Sequence, residues 1–175
     1  MEQTVAILVR KTLFSETTLF CTWVSERYGK VKTRAQGAKK VRSNFQGRLD
    51  LFQEMEICFE RSQKSDLHSL KEVCMTLPFV PGNLSSYPNL ALAAYFAELS
   101  EAVLSAPDEP APEVFDLLKR GLRYLRESPA SLRALIHFEN CLCKAMGVGG
   151  DPLEMLEHYC GRLPRTRSIA LHTLV

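Results

Sequence analysis

The 175-residue sequence contains no run approaching the roughly 18 uncharged apolar residues that a membrane-spanning helix requires. Its first residues alternate polar and apolar side chains and lack the apolar core of a secretory signal, so a soluble cytoplasmic protein is expected. None of the six cysteines (Cys21, Cys58, Cys74, Cys141, Cys143, Cys160) stands in a C-x-x-C pair. That spacing speaks against a disulfide framework or a close-spaced zinc knuckle, and for reduced, buried thiols. Also missing are a G-x-x-x-x-G-K-[ST] loop, a G-x-G-x-x-G turn and any tight group of acids. With no phosphate-cradling loop and no acids for metal-assisted phosphoryl chemistry, the chain is not expected to be an enzyme; no catalytic residue, metal or cofactor is assigned.

What the sequence does have is a sharp segregation of charge. Residues 1–49 hold ten Lys/Arg against three Asp/Glu, a balance of +7, whereas residues 50–175 hold twelve against seventeen, a balance of −5. The overall +2 hides this polarity. A local cationic field attracts a polyanion, and nucleic acid is the first candidate. The centre of the field is Gln36-Gly37-Ala38-Lys39-Lys40-Val41-Arg42-Ser43-Asn44-Phe45.

The 46% hydrophobic content is enough for a real core. Gln3 to Leu13 alternates as a strand, and Leu19 to Val24 is rich in β-branched and aromatic residues. Tyr28-Gly29-Lys30 suits a hairpin turn into a third strand, Lys30 to Gln36, with Val31, Thr33 and Ala35 on one face and Lys32, Arg34 and Gln36 on the other. Leu49, Leu51, Met55, Ile57 and Phe59 keep period two with acids opposite, which predicts a fourth strand; Leu67 to Met75 is a fifth. Five short antiparallel strands suit a Greek-key barrel of the oligonucleotide-binding (OB-fold) type, although periodicity does not separate it from other small barrels.

The composition changes at Val80 to Pro88, read as a linker, so residues 1–80 form the expected barrel domain and 81–175 an all-α domain. Leu90 to Leu104 and Val114 to Arg126 have helical spacing, interrupted by Ala106-Pro107-Asp108-Glu109-Pro110. Ser128 as N-cap with Pro129 at the first position would open the next helix, ended by Gly147, and Asp151-Pro152-Leu153-Glu154 would cap a last one, Pro152 to Tyr159. Beyond Arg162 the pattern specifies nothing.

The candidate phosphate-binding residues are Lys30, Lys32, Arg34, Lys39, Lys40, Arg42 and Arg48, with glycine and serine backbone amides around Gly37 and Ser43 as further contacts. Of the nearby aromatics Phe14, Phe20, Trp23, Tyr28 and Phe45, most are assigned to the core; Tyr28 and Phe45, placed in loops, are the candidates for base stacking. No base-reading helix is evident, so little sequence specificity is expected. Arg120, Arg123, Arg126 and Arg133 beside an apolar stripe suggest a second class of function, an adaptor that captures an acidic, apolar-ended peptide. An RNA-binding barrel is a third, since phosphate contacts do not separate RNA from DNA. His137 and Cys141 at i, i+4, with His158 and Cys160, formally supply four zinc ligands, against which stands the ordinary reading of interior thiols and surface histidines.

Three stretches of the front part, Glu16-Thr17-Thr18-Leu19-Phe20, Ser25-Glu26-Arg27-Tyr28-Gly29-Lys30-Val31, and Gly37-Ala38-Lys39-Lys40 with Arg42-Ser43, followed by Leu49 and Phe52, resemble the N-terminal domain of the bacterial recombination mediator family RecO. Phe138-Glu139, Leu142, Met146-Gly147 and Asp151-Pro152-Leu153 leading to Cys160 are similar to that family's helical domain. The resemblance implies an OB-fold followed by helices, binding of single- and double-stranded DNA, strand annealing and a location at the nucleoid. It also implies two partners, RecR and the acidic C-terminal tail of the single-stranded DNA-binding protein, displaced as recombinase loads. Two departures stand out. Many relatives carry two C-x-x-C pairs near the position of Cys160, which is alone here, and the sequence stops at Val175, short of the usual family length.

Overall fold

The structure, a computed structural model, describes residues 1–76, 81–104 and 111–174. Five strands, β1 (Glu2–Leu13), β2 (Leu19–Ser25), β3 (Gly29–Ala35), β4 (Glu54–Glu60) and β5 (Leu67–Met75), close a barrel in the order β1-β2-β3-β5-β4. Alternation decides which side chains go inside. Ala6 and Leu8, Cys21 and Trp23, Val31 and Ala35, Met55, Ile57 and Phe59, and Leu70 and Val73 form one buried cluster. Inside it, Trp23 Nε1 donates to Thr33 Oγ1 at 2.8 Å, so neither polar atom is buried without a partner.

The strands are not all antiparallel, as the sequence had suggested: β3 and β5 pair in parallel over Lys32↔Leu67 to Arg34↔Ser69. The direction is forced. β1, β2 and β3 alternate in direction, β4 runs antiparallel to β1 and β5 antiparallel to β4, so β5 must run alongside β3. Periodicity marks which residues point inward but not which strand closes the barrel.

The fourth strand begins at Glu54, not at Leu49. Residues 37–48 instead form successive tight turns, with Lys40, Ser43, Gln46 and Arg48 donating backbone N–H groups to Gly37, Lys40, Ser43 and Phe45 at 3.0–3.1 Å. Gly37 starts the series at φ 72°, a left-handed conformation that glycine adopts without steric cost. These turns send Ala38, Phe45 and Leu49 into the barrel cluster and keep Lys39, Lys40, Val41 and Arg42 in solvent. The period-two apolar residues at the start of this segment plug the barrel; they do not continue a strand. Lys11 Nζ secures the plug by donating to the Leu49 carbonyl at 2.7 Å.

A 3-10 turn (Gly82–Ser85) stands where a linker was expected, and five helices follow among the described residues: α1 (Tyr87–Val103), α2 (Pro112–Glu127), α3 (Leu132–Ala145), α4 (Pro152–Cys160) and α5 (Thr166–Thr173). The expected breaker 106–110 lies outside the described residues, as does Val80. α3 starts from Ser131, whose Oγ accepts from Ala134 N, and not from Ser128. Buried Asn89 explains the shift: its Nδ2 donates to the Leu125 and Ser128 carbonyls, both at 2.7 Å, and its Oδ1 accepts from Ala130 N at 2.9 Å. The side chain of α1 thus shapes the connection, and Ser128 closes α2. Gly147 ends α3 in a Schellman motif, with Val148 N donating to Cys143 O and Gly147 N to Lys144 O. Asp151 caps α4 through Leu153 N and Glu154 N. α5, where the sequence was silent, is held by Arg167, which donates to buried Glu139 on α3 at 2.7 Å; Tyr95 of α1 donates to the same carboxylate at 2.6 Å.

The chain divides into two compact units, Met1–Phe79 with Leu104–Phe115, and Val80–Val103 with Asp116–Val175.

Candidate nucleic-acid interface

Strand register sets the outer face of the barrel. One row of cross-strand neighbours reads Thr12, Phe20, Arg34, Ser69, Glu60; the next reads Arg10, Thr22, Lys32, Leu67. Directly opposed side chains have Cβ atoms about 5 Å apart, so Phe20 and Arg34 are immediate neighbours. Phe14 folds back over this row and stacks on Phe20, with ring centroids 4.3 Å apart and planes inclined by 20°, while remaining 62% exposed. Lys39 N donates to Thr17 O at 3.2 Å, which fastens the cationic loop beside the Phe14–Phe20 pair.

Arg34, Lys39, Lys40 and Arg42 are exposed and, among the described residues, have no acidic partner. Lys40 and Arg42 border a depression of about 390 Å³ that Gln36, Gly37, Ser43 and Asn44 complete. The structure therefore brings together an exposed aromatic platform, four solvated cations and a polar hollow on one side of the barrel.

The other expected cations lie elsewhere or are occupied. Lys30 is half-buried at the start of β3, opposite buried Val24. Lys32 shares the face but pairs with Asp66 at 2.7 Å, and its hydrogen bond and charge hold that carboxyl below the usual carboxylate range. Arg48 turns towards β5, where Nη1 donates to Val73 O at 3.3 Å.

Neither expected stacking residue offers a free ring. Phe45 is 7% exposed and belongs to the barrel core. Tyr28 donates its hydroxyl to Glu2, which pushes the phenol upward; its ring meets Phe59 edge-on at 5.7 Å, and the Arg27 and Arg61 guanidiniums lie 5.8 and 5.4 Å from its centroid. The exposed ring pair on this side of the barrel is Phe14 on Phe20 instead. The signal for Phe20 was present in the sequence: once Trp23 and Cys21 are placed inside, parity puts Phe20 outside.

In the helical unit, α1, α2 and α3 enclose a groove of about 440 Å³. Buried Phe96, Leu117 and Phe138 form its floor, and the exposed side chains of Tyr124, Arg120 and Arg133 stand around them. Phe96 and Phe138 stack at 3.8 Å, and Gly121 permits this, because a Cβ there would stand 3.1 Å from both rings. Arg120 Nε is 2.8 Å from Asp116, one turn back. Arg123 and Arg126 do not line the groove, so the expected four-arginine cluster reduces to two. His137 Nε2 and Cys141 Sγ stand 3.5 Å apart, but among the described residues no three His, Cys, Asp or Glu side chains converge as a metal site.

The family model for "Recombination protein O N terminal" matches residues 1–79, and that for "Recombination protein O C terminal" matches residues 84–151. A "DNA repair protein RecO" from Syntrophus aciditrophicus (strain SB) is 33% identical over 132 residues, covering 75% of this chain and 50% of that protein. The protein of the same name from Vibrio parahaemolyticus is 32% identical over 141 residues, 79% of this chain and 54% of the relative. That from Thermobifida fusca (strain YX) is 27% identical over 175 residues, 95% and 67% respectively. The chain spans about half the length of the first two relatives. An OB-type barrel matched by the first family model and a helical unit matched by the second together place this chain in the RecO family of DNA repair proteins.

Proposed function

We propose that the chain is a non-enzymatic DNA-binding mediator of repair. It would hold single- and double-stranded DNA without sequence preference on the β1-β2-β3 face of the barrel. The observation that carries this reading is the exposed Phe14–Phe20 stack set against Arg34 and the Lys39, Lys40, Arg42 loop. A single strand presents bases with apolar faces and a regularly charged backbone; an aromatic platform edged by cations matches both, and every base can stack on it. Neutralising phosphates on two strands at once lowers their mutual repulsion, which is the physical basis proposed for annealing. A DNA target would imply a cytoplasmic location at the nucleoid; the described helices include none long and apolar enough to cross a membrane.

The groove between α1, α2 and α3 supports the mediator part of the proposal. An apolar floor with two arginines on its rim suits a peptide that ends in an apolar residue preceded by acids, as in the tail of the single-stranded DNA-binding protein. Capturing that tail would bring the barrel face to the coated strand on which recombinase must load. RecR is proposed as a partner from the family membership alone.

Four cations, each neutralising one phosphate, give a single-strand salt slope of about −3 in log K against log salt. Replacing Lys39, Lys40 and Arg42 together by alanine is expected to make the slope shallower by about 2 and to weaken binding alike for all sequences. An unchanged slope would remove the barrel-face mechanism. Competition between DNA and RNA oligonucleotides of one sequence tests the RNA-binding alternative.

A further inference from the structure

The row that begins with Phe20 and Arg34 continues through Ser69 to Glu60, and its charge changes sign along the way. Outward-facing Glu54 and Glu56 follow on β4, so a polyanion lying on the barrel face meets an acidic wall there. Lys71 pairs with Glu60 at 2.8 Å and holds its carboxyl below the usual range, which offsets the charge at this end of the wall and leaves Glu56 and Glu54, further along β4, as its acidic part. Just before it lies a polar hollow of about 340 Å³, lined by Arg34, Arg61, Ser62, Ser65, Ser69 and Glu60. The floor is rigid: buried His68 stacks on Phe59 at 5.3 Å, and its Nδ1 accepts from Ser62 N at 3.2 Å. Ser62 Oγ accepts from Lys64 N and lies 3.4 Å from Ser65 Oγ, which itself donates to the Leu67 carbonyl.

A phosphodiester in mid-strand needs room for the chain on both sides, and the acidic wall denies one of them. A terminal phosphate needs only one side. It also carries a charge of about −1.5 to −2, against −1 for a diester, and so gains more from two guanidiniums. We propose that this hollow seats the terminal phosphate of a nucleic-acid strand whose neighbouring bases lie on the Phe14–Phe20 platform, making the barrel a reader of phosphorylated strand ends. The inference rests on the barrel-face reading above and adds direction to it: the strand enters over β2 and stops at β4.

The test is fluorescence anisotropy of the full chain with oligothymidylates of one length bearing a 5′-phosphate, a 3′-phosphate or hydroxyls at both ends. One phosphorylated form is expected to bind roughly tenfold tighter than the hydroxyl-ended strand, the gain from added charge-assisted hydrogen bonds. In Arg61→Gln and in Ser69→Asp the ratio should fall to about one, and in Arg61→Lys it should recover in part. Equal affinity for all three strands overturns the proposal, and a preference that survives both Arg61→Gln and Ser69→Asp overturns its location. Failure of every strand to bind overturns the barrel-face reading itself, a different outcome from binding without end preference.

Discussion

Phe14 is the residue on which the single-strand reading is most exposed to test. Its ring is 62% exposed and packs only on Phe20 among the described aromatic contacts, so Phe14→Ala removes half of the platform with little expected effect on folding. Stacking on an aromatic ring is worth about 1–3 kcal/mol per base, so single-strand affinity should fall roughly fivefold to 150-fold. Because no charge is lost, the salt slope should stay where it was; anisotropy titrations at three salt concentrations separate the two quantities. At this scale the sequence was legible in part. The inward set of β3, Val31, Thr33 and Ala35, followed from alternation and is buried as expected. Tyr28 and Phe45 were misjudged because position in a loop was equated with exposure. Tight turns carry Phe45 into the barrel, and a hydroxyl bond to Glu2 ties Tyr28 down. Neither constraint has a local signature, since each depends on where a distant segment comes to lie.

Among the elements, α5 is the one that the sequence did not announce. It is eight residues long, too short to be stable alone, and depends on tertiary contacts. The contact that matters is Arg167 with Glu139, which is 3% exposed and also accepts from Tyr95. Burial together with the neighbouring carboxylate pushes the Tyr95 phenol far above its ordinary range, so it donates at any working pH. Arg167→Ala leaves the buried carboxylate with the tyrosine alone. Breaking a buried pair costs about 3–5 kcal/mol, and the 21% exposure of the Arg167 side chain argues for the lower end, about 3 kcal/mol. Urea denaturation followed by far-ultraviolet circular dichroism should show the midpoint shifting accordingly, whereas a loss below about 1 kcal/mol would mean that α5 is held chiefly by its apolar contacts. Helices with local signals were read well: Asp151 before Pro152 marked α4, and Gly147 marked the end of α3. Ser128 was misread because the residue that positions it, Asn89, lies 39 positions away in the sequence.

On the scale of the whole molecule, the charge segregation was the feature most directly legible in the residues themselves, because counting requires no knowledge of the fold. Its consequence depends on the fold, which pairs Lys32 with Asp66, turns exposed Arg48 onto a backbone carbonyl and leaves the side chains of Arg34, Lys39, Lys40 and Arg42 exposed with neither kind of partner among the described residues. Those four lie on the first compact unit, while Arg120 and Arg133 lie on the second. If DNA and the acidic peptide occupy these separate surfaces, each set of substitutions should affect one ligand only. Arg133→Ala removes a charge-assisted contact worth about 1.5–3 kcal/mol, so calorimetry with a peptide of acidic residues ending in phenylalanine should show affinity reduced at least roughly tenfold. The single-strand salt slope of the same variant should not move. The Lys39, Lys40, Arg42 triple alanine variant should show the opposite pattern, a shallower slope with unchanged peptide affinity. A slope that changes in Arg133→Ala would mean that phosphates also reach the helical groove; the peptide and the strand would then compete, and the two surfaces would act as one.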